Sequence, residues 1–327
     1  KDVNAIRLRN ANLKEPDTRL AGSDGRGAYS NRSNAGRRLY SNINSAIVLE
    51  NINRGGGVVF TAQVNKAMSK GWSASASYTF TGAWDVTSNP GSQATSTWES
   101  NPSIATPNTT ELATSGFAIP HRFLAWVTYR KEYFKHLATT ITLFYEARNQ
   151  NNFSFLVNGD LNGDGISQDL MYIPRDRNDI NLLPITGSTP YSVEQQRDAL
   201  EAFINNSRYL RKRRGQYAER NGALQPFTHN INLQIQQDLF TNIGNRKNTI
   251  RFQADILNFT NMLNKNWGHR FFSTFSGNNP LQFVNATNGV PAYRMSLVSG
   301  SLPTEPFQVS RSLASTWSAQ VGIRYIF

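Results

Sequence analysis

The run Asp160-Leu-Asn-Gly-Asp-Gly-Ile-Ser-Gln-Asp169 holds side chains whose types and spacing could do chemistry. Asp160, Asn162 and Asp164 place oxygen ligands at positions one, three and five. Gly165 follows where a sharp turn is needed and Ile166 offers a backbone carbonyl, which is how a calcium loop begins. Met171 stands at position twelve, where an acidic ligand is usual, so Asp169 at position ten would serve only in a different loop geometry. The same residues also make an ordinary Asn-Gly and Asp-Gly turn, favoured for its backbone angles. Calcium is the one cofactor the sequence raises, and nothing in it makes a cofactor obligatory. The four histidines, His121, His136, His229 and His269, lie in different segments without metal-type spacing. His121, which follows Pro120 at the start of a strand, reads as structural. Without a nucleophile elbow, a phosphate loop or a His-Glu-x-x-His motif, and with no cysteine for thiolate chemistry, the chain is not expected to be an enzyme.

The elements that must hold these residues are strands. In the last stretch, Ala319, Val321, Ile323, Tyr325 and Phe327 fall on one face and Ser318, Gln320, Gly322 and Arg324 on the other, the period-two pattern of a half-apolar strand. Mean hydropathy is negative, and no apolar run approaches the ~20 residues of a membrane helix. The chain is therefore soluble, or it crosses a membrane as a closed sheet, the other way to satisfy every backbone group in lipid. Residues 1–8 already look like a strand in progress, so a longer polypeptide is expected to precede them.

Read in order, residues 2–13 form a partial strand and residues 14–42 a long polar loop. Residues 43–68 read as one long strand kinked at Gly55, Gly56 and Gly57, with a hairpin there as the alternative. In residues 72–81, Trp72, Ala74, Ala76, Tyr78 and Phe80 alternate with a row of Ser and Thr. One face suits lipid with an aromatic border and the other a wide wet interior. Further strands are expected over residues 121–132, 136–157, 227–239, 248–259 and 317–327. Tyr78, Val127, Leu143, Phe252 and Ile323 would face outward, and Gln234, Gln253, Asp255 and Gln320 would face the lumen; Trp126 falls on the lumen side.

Short turns at residues 69–71, 133–135 and 240–247 alternate with long connections at 85–120, 158–226 and 260–313. The second long connection holds a helix capped by Ser192 with Gln195 three residues on, and the third a hairpin around residues 290–298. Outer-membrane barrels alternate short periplasmic turns with long extracellular loops in this way. The expected fold is all-β, a transmembrane antiparallel β-barrel with about eight strands in this chain. The formal charge of +12 draws on Arg208, Arg211, Lys212, Arg213, Arg214 and Arg220 in one connection. Such a loop could meet the phosphates of lipopolysaccharide. No nucleic-acid-binding module surrounds it, so nucleic acid is not an expected partner.

Several stretches resemble a known family. These are Ser115 to Arg122 with Pro120-His121, the Asp160 to Gly165 run followed by Asp169 to Arg175, Arg214 to Asn221, and Asp255 to Asn264 with Trp267-Gly268. Together they look like the C-terminal barrel half of TonB-dependent receptors, in the Oar-like branch, which is similar in plan to the SusC-type transporters. The ending, with Phe327 last and Tyr325 two before it, resembles the insertion signal of outer-membrane barrels. The resemblance implies a barrel of about twenty-two strands in the bacterial outer membrane, with an N-terminal plug worked by the TonB machinery. Its role would be substrate uptake or polypeptide handling. Two other readings remain: an adhesion or assembly scaffold barrel with a partner lipoprotein, and a soluble secreted β protein that binds glycan and purifies without detergent.

Overall fold

The computed structural model describes residues 5–88, 91–109, 111–243 and 246–327. The chain is mostly β, 46% strand against 12% helix, and among the described residues no helix is long and apolar enough to cross a membrane. The strands used below are β1 (Ala5–Asn10), β2 (Ile47–Ile52), β3 (Gly56–Ser69), β4 (Trp72–Asp85), β5 (His121–Tyr133) and β6 (Leu137–Asn149). They continue with β7 (Phe227–Ile243), β8 (Arg246–Leu257), β9 (Leu281–Thr287), β10 (Val290–Met295) and β11 (Ser318–Ile326).

Seven of these make one antiparallel meander in the order β3-β4-β5-β6-β7-β8-β11. Antiparallel pairing puts the short turns 70–71 and 134–136, with the β7–β8 connection, at one end of the sheet and the long connections at the other. The tightest turn has the chemistry its geometry demands. Lys70 and Gly71 have φ of 52° and 85°, a two-residue turn whose twist matches that of the flanking strands. A Cβ on Gly71 would stand 2.8 Å from the Arg130 carbonyl oxygen. β3 and β11 end the path, and no described strand pairs with the outer edge of either.

Of the eight strands expected, seven lie in the meander, and the sheet's eighth member is the two-residue strand Ala113–Thr114 beside β4. β1 pairs with β2 in a separate two-stranded sheet, from Ala5 opposite Ile52 to Asn10 opposite Ile47. The single kinked strand over residues 43–68 is likewise two strands. Gly55 and Gly56 take φ of 120° and 144°, and that break turns β2 away to β1 while β3 joins the meander. The strand expected to reach residue 157 stops at Asn149, and Val157–Asn158 belongs to another sheet. Residues 2–4 and the tip 244–245 of the expected turn lie outside the described residues.

The hydrophobic core lies in the long connections, not on the meander. Phe155, Leu161, Met171, Ile173, Phe203 and Ile204 pack there with Leu281 and Met295, all essentially without solvent contact. A four-stranded sheet threads this cap, in which β9 and β10 form a hairpin turning at Asn288 and Gly289, with φ of 51° and 78°. The hairpin thus spans residues 281–295, earlier than the 290–298 expected, and Val298 instead bridges to Ser301. Helix α1 (Val193–Asn206) covers the sheet and begins as expected. Ser192 Oγ accepts from the Gln195 amide at 3.2 Å, and Gln195 Oε1 accepts from the Ser192 amide at 2.8 Å. Buried Gln196 donates to the Leu183 carbonyl and accepts from the Met295 amide, both at 2.9 Å, which locks the helix onto β10.

Candidate functional site

The meander has two chemically opposite faces, and the pairing register carries each across the sheet. One face runs through Ala74, Val127, Leu143 and Leu233, which lie opposite one another on four successive strands, and on through Ile256 to Ala319. Its side chains are uncovered: Val127 is 41% exposed, Leu143 38%, Phe252 45% and Ile323 73%. Among the described residues no second layer encloses them.

The other face is a hydrogen-bonded polar surface. Gln234 donates to Asp255 Oδ1 at 2.7 Å and Gln253 to Asp255 Oδ2 at 2.6 Å. Gln236 bridges to Gln253 at 3.0 Å, and Gln320 lies opposite Asp255 in register. The four expected lumen residues therefore share one face and one cluster. Nearer the short-turn end, Asp238 accepts from Arg251 Nε at 2.6 Å and Nη2 at 2.9 Å and from Arg130 at 3.2 Å. Nearer the cap, Glu146 pairs with Arg122 at 2.8 Å. Cross-strand Thr128 and Thr142 hydroxyls meet at 2.9 Å. Trp126 is on this polar face, between Ser75 and Phe144 in register and 38% exposed, so the sequence facing holds.

The Asp160 loop lies inside the cap and closes largely on its own backbone. Asp160 accepts from the Gly163 and Gly165 amides at 2.7 and 2.9 Å, Asn162 from the Asp164 amide at 2.9 Å, and Asp164 from the Ile166 amide at 2.8 Å. Gly163 and Gly165, at φ of 87° and 91°, supply the left-handed backbone these turns require. Asp169 reaches back to the Leu161 amide at 2.8 Å rather than across to the other carboxylates. Among the described residues no group of three or more His, Cys, Asp or Glu is arranged to hold a metal ion. Burial pushes the Asp164 carboxyl well above the usual carboxylate range, and the charges of Asp169 and Asp160 add to the effect. Burial likewise takes Asp169 up to about 7 against the pull of Arg26.

Arg26, which the sequence reading missed, organises this region. Its side chain is fully buried. It holds Asp24 through two nitrogens at 2.7 and 3.1 Å, Asp169 at 3.2 Å and the Leu170 carbonyl at 2.7 Å. Burial alone would lower the Arg26 pKa, but Asp24 and Asp169 raise it above its ordinary value. Tyr293 donates to Asp24 at 3.1 Å, and the Arg26 guanidinium lies 5.2 Å from the centre of the Tyr217 ring. The partners come from segments far apart in sequence, so no local motif announces the cluster.

The remaining expectations are placed as follows. Tyr325 and Phe327 stack at 5.7 Å on the exposed apolar edge of the sheet, and the Tyr325 hydroxyl donates to Asn248 at 2.5 Å. Of the four histidines, His229 and His269 line one hollow at the cap end of the sheet, and His121 and His136 lie elsewhere. His121 and His229 each hydrogen-bond a tyrosine on the neighbouring strand, Tyr78 and Tyr145, at 2.8 Å in near-identical stacked pairs. Of the basic run, Arg213, Arg214 and Arg220 are ion-paired with Glu219, Glu201 and Asp85, while Arg208, Arg211 and Lys212 are exposed. No protein-family model, no curated protein and no solved structure matches this chain.

Proposed function

We propose that the chain forms a section of the wall and the outer cap of a TonB-dependent receptor barrel in a bacterial outer membrane, serving substrate uptake or polypeptide handling rather than catalysis. The observation that carries this reading is the two-faced meander: an uncovered apolar surface backed by a polar one that is hydrogen-bonded and ion-paired. Seven strands about 4.8 Å apart and some 20–25 Å of apolar height make roughly 700–800 Å² of apolar face, beyond what soluble monomers expose. Each large apolar side chain left in water forgoes about 1.5–3 kcal/mol of burial. Lipid and lipopolysaccharide are the natural solvent for such a face.

The open edges of β3 and β11 suit pairing with the remaining barrel strands, and the Gln234, Gln253, Asp255 and Gln320 surface suits a plug or a passing substrate. Coupling to the TonB machinery would run through that plug, and the cap is the surface open to a partner lipoprotein. In this reading Tyr325 and Phe327 serve as the insertion signal.

Because the chain contains no cysteine, single substitutions give a clean test. Val127→Cys and Leu143→Cys in reconstituted vesicles should resist a water-soluble maleimide while Thr128→Cys and Thr142→Cys react. Equal labelling of both sets would sink the membrane wall.

A further inference from the structure

A hollow of about 210 Å³ opens at the cap end of the polar face. Glu146 and Arg148 of β6 border it, with Asn230 and Thr228 of β7 directly opposite them in register, and residues 268–270 of the connection after β8 border it too. Of the lining residues, Ala314 alone brings an apolar side chain, so the hollow suits a polar occupant. It is smaller than the ~300–1,000 Å³ of a drug-sized site, which limits that occupant to a small solute or the end of a chain.

The charges at this hollow do not balance. Glu146 is the one acidic residue lining it, and its carboxylate is already 2.8 Å from Arg122, which leaves Arg148 a looser contact at 3.7 Å. Arg270 is exposed, and among the described residues its guanidinium has no carboxylate within 4 Å. Arg148 and Arg270 thus set two positive charges against the single negative one that Arg122 holds.

The backbone that carries Arg270 is held on both sides. Its amide donates to Ser315 Oγ at 3.0 Å, and its carbonyl accepts from the Ser310 amide at 2.8 Å. Asn258 donates to the Gly268 carbonyl at 3.0 Å, and Gln150, just past the end of β6, donates to the Phe271 carbonyl at 3.0 Å. His269 Nε2 donates to the Lys265 carbonyl at 2.6 Å. A cation carried on so fixed a segment loses less freedom when it takes a partner, which favours binding.

Resting on the wall reading, in which this face is the lumen, we propose that the hollow binds the α-carboxylate of a free amino acid or of a peptide's C-terminal residue, held between Arg148 and Arg270. A guanidinium fork matches the two oxygens of a carboxylate. The Glu146 carboxylate at the same hollow repels a second negative charge, so a monoanion is preferred to a phosphate dianion. The Asn151 amide and the Thr228 hydroxyl, which also line the hollow, offer hydrogen bonds to the N–H group next to that carboxylate.

The test is isothermal titration calorimetry of the detergent-extracted protein with N-acetyl-alanyl-alanine, its C-terminal amide, alanine and inorganic phosphate. The peptide acid should bind about tenfold more tightly than its amide. Arg270→Gln and Arg148→Gln should each weaken the acid about tenfold. Arg324→Gln, which removes an exposed charge opposite Arg251 near the short-turn end of the same face, should leave it unchanged. Alanine matching the peptide acid would make a free amino acid the source of the carboxylate, and weaker alanine would make it a chain end. Equal binding of acid and amide, no binding by either carboxylate, indifference to Arg270→Gln, an equal loss in Arg324→Gln, or phosphate binding as tightly as the acid would overturn the carboxylate site. Each of these leaves the wall standing, because the labelling of Val127→Cys against Thr128→Cys decides the wall on its own.

Discussion

Arg26 illustrates how much a single buried charge can hold. It compensates Asp24 and Asp169 at once and satisfies a carbonyl from the Asp160 loop region, so removing it strands two carboxylates without solvent. Arg26→Met should cost about 3–5 kcal/mol and loosen the cap, read as a loss of amide protection around Leu170 and Tyr293. Asp164 presents the opposite case, a buried carboxylate whose charge its neighbours disfavour. Asp164→Asn keeps the acceptor for the Ile166 amide and removes that charge, so it should raise cap stability by about 1 kcal/mol. Chelation with EGTA should leave the melting of the cap unchanged. A fall on chelation that added calcium restores, with loss of the effect in Asp164→Asn, would place calcium in the loop.

At the scale of the element, β1 and β2 are joined by side chains as well as by backbone. Arg7 and Arg9 both donate to Glu50 and hold its carboxyl below the usual range. A lowered folded pKa means that this contribution is fully present above the unfolded value of 4.5 and is lost as pH falls through the lower folded one. Hydrogen exchange of β1 in the native chain and in Glu50→Gln should therefore differ near neutral pH and converge in acid; a constant difference would show that the carboxylate's charge is irrelevant.

The same scale explains what could be read from the chain alone. Residues 72–80 are legible because each face of a meander strand carries one kind of side chain, so the code repeats every second residue. Ser192 and Gln195 are legible because their partners are three residues away. The cap core is not, since Phe155, Met171 and Leu281 lie in short apolar patches that resemble loop sequence until distant segments cover them. Met171 with Ile173 was the available signal, two apolar residues at strand spacing inside a nominal calcium loop's far end. The division of residues 43–68 was misread because glycines mark a break without saying where the freed strand goes.

The whole molecule is a thin two-faced sheet surmounted by a conventionally packed cap, and the two parts obey different rules of assembly. The turns 70–71 and 134–136 and the β7–β8 connection close half of the meander's pairings locally, while β4 with β5, β6 with β7 and β8 with β11 meet across the long connections. The cap closes through Arg26 to Leu170, 144 residues apart, and Tyr293 to Asp24, 269 apart. Non-local contacts form slowly because loop-closure entropy must be overcome first. On refolding into detergent, strand circular dichroism should therefore develop before protection of the amides around Leu170; simultaneous appearance would refute the separation.

The reach of that Tyr293 to Asp24 bond also has a consequence for the living cell. A ribosome or an export channel delivers Asp24 and Arg26 long before their last partner emerges, so for most of synthesis the charged knot is incomplete and its greasy neighbours are bare. A chain cut short of residue 293 lacks the Tyr293 bond to Asp24, and added protease should cleave its cap faster than that of the full chain.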